Sequence, residues 1–315
     1  MTDNLKVIQF VHPGFEYSGH DYVRDRKQHS GLMPWKDGGS IHNRKFMWSL
    51  GSALDFGRNE VHERVGLTFW GEWEGPSVFW KVASPGKPVP SVVHAPFRPA
   101  ECPTASVQNT DPMVFGDAFI YSNCMQGQYK ALQGAPPGSL ILFGRYARED
   151  GRPSFSLDTC LVVDRVQKLA TAPFDEESYG EDLLDDAVLR ALYSEGFEGE
   201  LHIHFGRGRQ GGTPFSFFPA QIASEEPSLF ARPELEPRGA LEGVVSPGNM
   251  QGIKVTHGLT AAQRDSIWNE VGEQVAAEGC ALGHFAAPPP LLHEDQAKKE
   301  TLSEPHLLSS VPVGS

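Results

Sequence analysis

Five short clusters carry side chains that an apolar core does not need: His12-Pro-Gly-Phe-Glu16, His42-Asn43-Arg44-Lys45, Gly71-Glu72-Trp73-Glu74, Gln108-Asn109-Thr110-Asp111-Pro112 and Ser122-Asn123-Cys124-Met125-Gln126. Among them lie five of the six tryptophans: Trp35, Trp48, Trp70, Trp73 and Trp80. Aromatic faces beside amides and carboxylates are the composition of a pocket that sandwiches a flat ring and reads its edge. A nucleobase is such a ring.

Hydrolysis of the bond between a base and its sugar adds one further demand, a carboxylate that orients water and balances the cationic sugar. Asp111, Glu16 and Glu72 are the candidates. Glu16 follows a strand and a rigid Pro-Gly turn, a place where sheets commonly hold reactive groups, although a solvated loop fits the same residues. Glu72 and Glu74 alternate with Trp73, so they project from the opposite face of a strand; the same alternation fits indole in the core and glutamates in water. Gln108, Asn109, Asn123 and Gln126 offer the paired donors and acceptors that a base edge requires, with an Asx-type turn as the competing reading of 108–112. Trp35, Trp70 and Trp73 are the candidate stacking walls, and His12 and Asn43 complete the base-binding set. Cys124 has no assignable neighbour that would make it a thiolate.

The 315 residues are 39% hydrophobic and 21% charged, enough for one large or two modest globular domains. The reading is a single domain over 1–286, with an internal boundary near 170–180 and a disordered tail over 287–315. The net charge of −13 opposes non-specific binding to nucleic acid if it is spread evenly. It is uneven: residues 174–200 hold ten acids against Arg190, whereas the first fifty hold seven Lys and Arg against five acids. Phosphate contacts are therefore assigned to Arg24, Lys27, Arg44 and Lys45, and to Arg207 and Arg209 in the glycine-rich run 206–212. His202 and His204 share one face of a strand, but the sequence supplies no evident third ligand, so neither metal nor cofactor is assigned. Cys102, Cys124, Cys160 and Cys280 are too scattered for a zinc ribbon or a disulfide framework and read as thiols. No apolar run reaches the roughly 18 residues of a membrane span, and no secretory signal opens the chain. A cytoplasmic monomer is the expectation.

The elements that must position these groups read as α+β: a β-rich mixed sheet or small barrel flanked by a few helices, with long ordered loops. Strands are expected at 5–11, 65–73 and 78–82, and the clearest hairpin joins 139–147 to 155–166. The proline-rich stretch 84–114 reads as a long ordered loop. Helices are expected over 183–195 and from the capping box Thr260–Gln263 to a stop at Gly279.

Two resemblances add to this reading. The segment from Gly138-Ser-Leu-Ile-Leu-Phe-Gly144 to Phe155-Ser-Leu-Asp-Thr-Cys-Leu-Val-Val-Asp164 resembles the barrel hairpin of the PUA, EVE and ASCH group, whose members recognise modified or flipped bases. The ensemble of H-P-G-F-E, H-N-R-K-F, F-W-G-E-W-E, Q-N-T-D-P, Y-S-N-C and F-S-F-F-P-A is similar to prokaryotic antiviral DNA glycosylases. That likeness implies excision of hypermodified bases, glucosylated ones included, from phage DNA. The strand followed by H-P-G-F-E echoes the water-activating loop of uracil glycosylases, and the helix-hairpin-helix with its catalytic Asp is absent.

Overall fold

A computed structural model describes residues 4–12, 15–16, 30–36, 43–86, 88–99, 107–149, 152–170, 184–194, 199–223 and 227–293. The chain is a mixed α+β protein dominated by strands. The strands are β1 (Leu5–Val11), β2 (Phe15–Glu16), β3 (Ser30–Met33), β4 (Asn43–Asp55), β5 (Glu60–Glu72), β6 (Ser77–Lys81), β7 (Val92–Pro96), β8 (Arg98–Pro99), β9 (Ile120–Tyr121), β10 (Leu140–Glu149), β11 (Arg152–Ala170), β12 (Glu200–Gly206), β13 (Phe218–Ala223), β14 (Glu234–Leu235), β15 (Gly252–Leu259), β16 (Ala281–Ala286) and β17 (Leu291–Leu292). The helices are α1 (Lys130–Gln133), α2 (Arg190–Ser194) and α3 (Ala261–Ala277).

Two sheets carry the structure. In the first the order is β15-β1-β10-β11-β12-β9, with β14 also on β11; β1 runs parallel to β10 and antiparallel to β15. The second begins with the long hairpin β4–β5, continues through β13 to β16, and closes when β16 pairs back onto β4. The result is a four-stranded ring. One edge of β4 faces β5 along its length, while the other is shared in succession by β2 at Asn43 and Arg44, β7 at Met47, and β16 from Gly51 to Leu54.

Side-chain alternation distributes each strand between two cores. Ile8, Phe10, Met47, Phe69, Trp73 and Phe143 enter one; Val7, Val11, Phe46, Trp70, Leu142 and Phe155 enter the other. Helix α3 covers the second core with Ile267, Trp268, Val271 and Val275, and its Thr260–Gln263 capping box forms as the sequence indicates.

Several expectations change in extent. The hairpin at 139–166 reaches from Leu140 to Ala170, because β11 keeps pairing with β12 after it leaves β10. The strand expected at 65–73 begins at Glu60 and pairs with β4, which the polar H-N-R-K start concealed. The stretch 84–114 is not one loop: Val92–Pro96 pairs with β6, and Arg98–Pro99 with β17. The helix at 183–195 opens with a widened π turn over Asp185–Leu189 before α2. Residues 287–293 are docked, with Ala287 N–H donating to Leu50 O at 2.7 Å and Arg98 N–H to Pro290 O at 2.8 Å. The rest of the expected tail, 294–315, lies outside the described residues, as do Arg24, Lys27 and Cys102.

Ring closure leaves no room above Gly51, where a Cβ would collide with the backbone carbonyl oxygen of Phe285. Gly51→Ala is expected to lower the unfolding free energy by about 1–3 kcal/mol, the usual cost of forcing extra atoms into packed backbone, read from urea denaturation.

Candidate functional site

Arg44, Lys45 and Arg232, with Glu72, Glu74, Asp111 and Asp158, are all buried. Seven ionisable side chains inside one protein must neutralise one another, since an unpaired buried charge costs several kcal/mol. The two sheets meet to make this pairing. Strand β4 delivers Arg44, β5 delivers Glu72, its registered neighbour, and β11 of the other sheet delivers Asp158.

Arg44 is the hub. Its Nε donates to Asp158 Oδ2 at 3.0 Å, its Nη1 donates to Glu72 Oε2, and its Nη2 donates to His12 Nδ1. A guanidinium has only donors, so His12 accepts at Nδ1 and carries its proton on Nε2. The imidazole stands directly after β1, edge-on to Phe10. Glu72 accepts the backbone N–H of Asp111 on its other oxygen at 3.0 Å. Asp158 is held on its second oxygen by Arg232 Nε at 2.5 Å, and the Arg232 guanidinium lies 4.4 Å over the Trp70 ring. Burial works against the charge on Arg44, but Glu72 and Asp158 outweigh it and keep the guanidinium protonated more firmly than usual.

Lys45 points to the other face of β4, where its Nζ donates to Gly75 O at 3.1 Å. Burial lowers its pKa to about 7, opposed by Glu74 and reinforced by Lys36. Glu74 pairs with Lys36 at 3.7 Å and has its backbone N–H on Thr110 Oγ1 at 3.1 Å. His94 Nδ1 meets Ser77 Oγ at 3.0 Å; burial, then Lys45, push its pKa well down, so the imidazole is neutral. The open end of the β4–β5 hairpin thus carries a polar group on each face.

Asp111 serves the local backbone. Its carboxylate accepts the N–H groups of Ser122, Asn123 and Cys124 at 2.9, 2.7 and 2.6 Å, which fixes the turn after β9. Burial pushes its pKa up to about 6 even against those three donors. The Cys124 thiol is raised by burial and by Asp111, which keeps it a thiol.

The other sequence candidates can now be placed. Glu16 and Asn43 are described by backbone alone: Glu16 pairs with Arg44, and Asn43 with Phe15. Trp35 is half-buried and donates through Nε1 to Gln108 O at 3.2 Å, which sets it beside the 108–111 segment. Asn109 donates to Ser122 Oγ at 3.4 Å, while Gln126 donates to His202 O at 3.0 Å and so braces β12. Trp70 and Trp73 do not face each other as walls. They enter different cores, their indole N–H groups taken by Phe230 O at 3.1 Å and Pro76 O at 2.8 Å. Arg44 and Lys45 are interior groups and not surface phosphate contacts, because Glu72 and Glu74 are buried beside them and not in water. Arg207 pairs with Asp164 at 3.4 Å, and Arg209 is exposed in a short turn. His202 meets Glu200 Oε1 at 2.5 Å, whereas His204 is buried beside Tyr121.

Sequence reasoning missed Asp158, Arg232, and the Ser77–His94 pair. A lone acid inside the apolar run Phe155-Ser-Leu-Asp-Thr-Cys-Leu was the available signal for Asp158. Among the described residues, no helix is long and apolar enough to cross a membrane. Comparison of the chain with protein-family models finds no match, and comparisons with curated proteins and with solved structures find none either.

Removing the hub strands two acids. Arg44→Met is expected to cost about 3–5 kcal/mol of unfolding free energy, the penalty for breaking a buried ion pair from one side. Lys45 gives a pH signature: between its folded value of about 7 and its ordinary 10.5, the unfolded chain carries a proton that the folded chain lacks. Stability therefore rises with pH across that window, by up to about 1.4 kcal/mol per unit, and Lys45→Met should remove this contribution from a denaturation series at pH 7 to 10.

Proposed function

We propose that the protein is a DNA glycosylase that flips out and excises a modified base, glucosylated bases included, from phage DNA in antiviral defence. The observation that carries this reading is the meeting of His12, Arg44 and Glu72 at the end of β1, with the Glu16 backbone in register beside Arg44. N-glycosidic hydrolysis needs a carboxylate to orient water and balance the sugar, and an imidazole N–H beside it can meet the departing base.

In this reading Glu16 orients the water and balances the oxocarbenium-like sugar. Water adds to C1′ and gives up a proton to Glu16, the bond to the base nitrogen breaks with its electron pair going to the base, and the base nitrogen takes up a proton in exchange, so that water ends divided between sugar and base. His12, with its proton on Nε2, hydrogen-bonds the departing base. The fixed Arg44–Glu72 pair sets the imidazole's tautomer and orientation. Trp35, Gln108 and Asn109, joined through the Trp35 indole N–H, form the base-recognition side in place of Trp70 and Trp73. Asp111 shapes this side through its three backbone contacts.

The net charge of −13, together with the burial of Arg44 and Lys45, favours a second reading: a hydrolase of the same bond in free nucleotides. Salt separates the two, because binding to DNA weakens steeply with ionic strength and binding of a mononucleotide does not. A third possibility, a non-catalytic reader of modified bases, would need no carboxylate.

The test is incubation with glucosylated phage DNA, unmodified DNA and free nucleotides, with released base measured by mass spectrometry. Base and abasic sites from the glucosylated DNA are expected, with Glu16→Gln reducing release by about 100-fold or more. Release from nucleotides alone would establish the second reading, and binding without release would establish the third.

A further inference from the structure

A cavity of about 450 Å³, which His12 does not line, lies between the β10–β11 hairpin, the segment entering β14, and the C-terminal end of α3. Its size is in the range that encloses a small organic ligand. Its lining carries both signs, with three arginines and three glutamates. On the sheet side stand Arg145 and Ser156, a registered β10–β11 pair, together with Arg232 and with Glu234 of β14, which pairs with Ser156 and accepts from Ser154 Oγ at 2.7 Å. On the helix side stand Glu236 and Glu278, where the last carbonyls of α3 add the negative end of the helix dipole. Gln274 is fixed between these groups, its amide accepting from Glu236 N–H at 2.8 Å and donating to Glu236 O at 3.2 Å. Arg238 lines the helix side as well, but it is well exposed and reaches Glu236 and Glu270 only at 3.5 and 3.7 Å, so those contacts hold it weakly.

Arg232 gives this cavity a second property. The guanidinium that lines it is the one that grips Asp158, which in turn holds Arg44. It is stacked on Trp70 and therefore already oriented, so an anion meeting it loses little entropy of ordering.

We propose that this cavity is a binding site for a bipolar anion of nucleotide size, its phosphate against Arg145 and Arg232 and its amino group donating to Glu236 and Glu278. Guanidinium forks match phosphate oxygens bidentately, and carboxylates accept from an exocyclic amine. The site shares Arg232 with the buried network, but it uses none of His12, Arg44, Glu72 or Glu16 for contact with the ligand, so it stands whether or not those residues cleave a glycosidic bond.

Isothermal titration of the full chain with adenosine monophosphate, adenosine and inorganic phosphate tests it. Saturable binding of adenosine monophosphate is expected, with adenosine and phosphate each at least about tenfold weaker, because each meets groups of only one sign. Glu278→Gln, on an exposed side chain outside the buried network, should weaken adenosine monophosphate by about fivefold to tenfold and leave phosphate unchanged. Arg145→Gln should weaken both adenosine monophosphate and phosphate. Binding of adenosine as strong as that of its phosphate, affinity unaffected by either substitution, or no binding of any of the three would overturn the proposal.

Discussion

Charges that leave water must find each other, and this requirement fixes how the two sheets of the protein meet. Arg44 on one sheet can be buried only because Glu72 beside it and Asp158 from the other sheet answer its charge. Asp158 in turn needs Arg232, and Glu72 needs the Asp111 N–H. Each group is satisfied by a neighbour from a different segment of the chain. Apolar side chains could fill the same volume at similar or lower free energy, but they would not dictate one register of β4 against β11.

The same constraint explains why the interior is divided. A strand alternates its faces, so Arg44 and Lys45 cannot share a partner set. Arg44 joins the acids and His12 at the junction of the sheets, whereas Lys45 turns to Gly75, Glu74 and the neutral His94. Arg44 has two carboxylates in contact and is secured as a cation. Lys45 has a backbone carbonyl and a shared glutamate, and its proton is correspondingly loose. Two adjacent basic residues, indistinguishable as charge in the sequence, thus become an invariant anchor and a titratable group.

What the sequence revealed followed from local signals. The capping box of α3, the apolar alternation of β10 and β11, and the buried run of β1 all carry their structure in neighbouring residues. Strand β4 was hidden because its first three residues are Asn43, Arg44 and Lys45, polar types that read as surface until their distant partners are known. His12, Gln108 and Asp111 were recognisable as chemically loaded, and all three are buried. Their arrangement was not recognisable, because Arg232 and Asp158 contribute from the far half of the chain. Tryptophan misled for the opposite reason. Counting indoles along the sequence ignores that Trp70 lies within β5 and Trp73 just past its end, and that the two enter different cores.

The closed ring places a condition on how the protein is made. Strand β4 is synthesised early, yet the strand that covers the edge from Gly51 to Leu54 is β16, near the far end of the described chain. During translation that stretch of edge must wait, with its amide and carbonyl groups unmet, until β16, more than two hundred residues later, has left the ribosome. A nascent chain halted before β16 would present the open edge to any extended strand nearby, which makes β16 the guardian of Gly51 to Leu54.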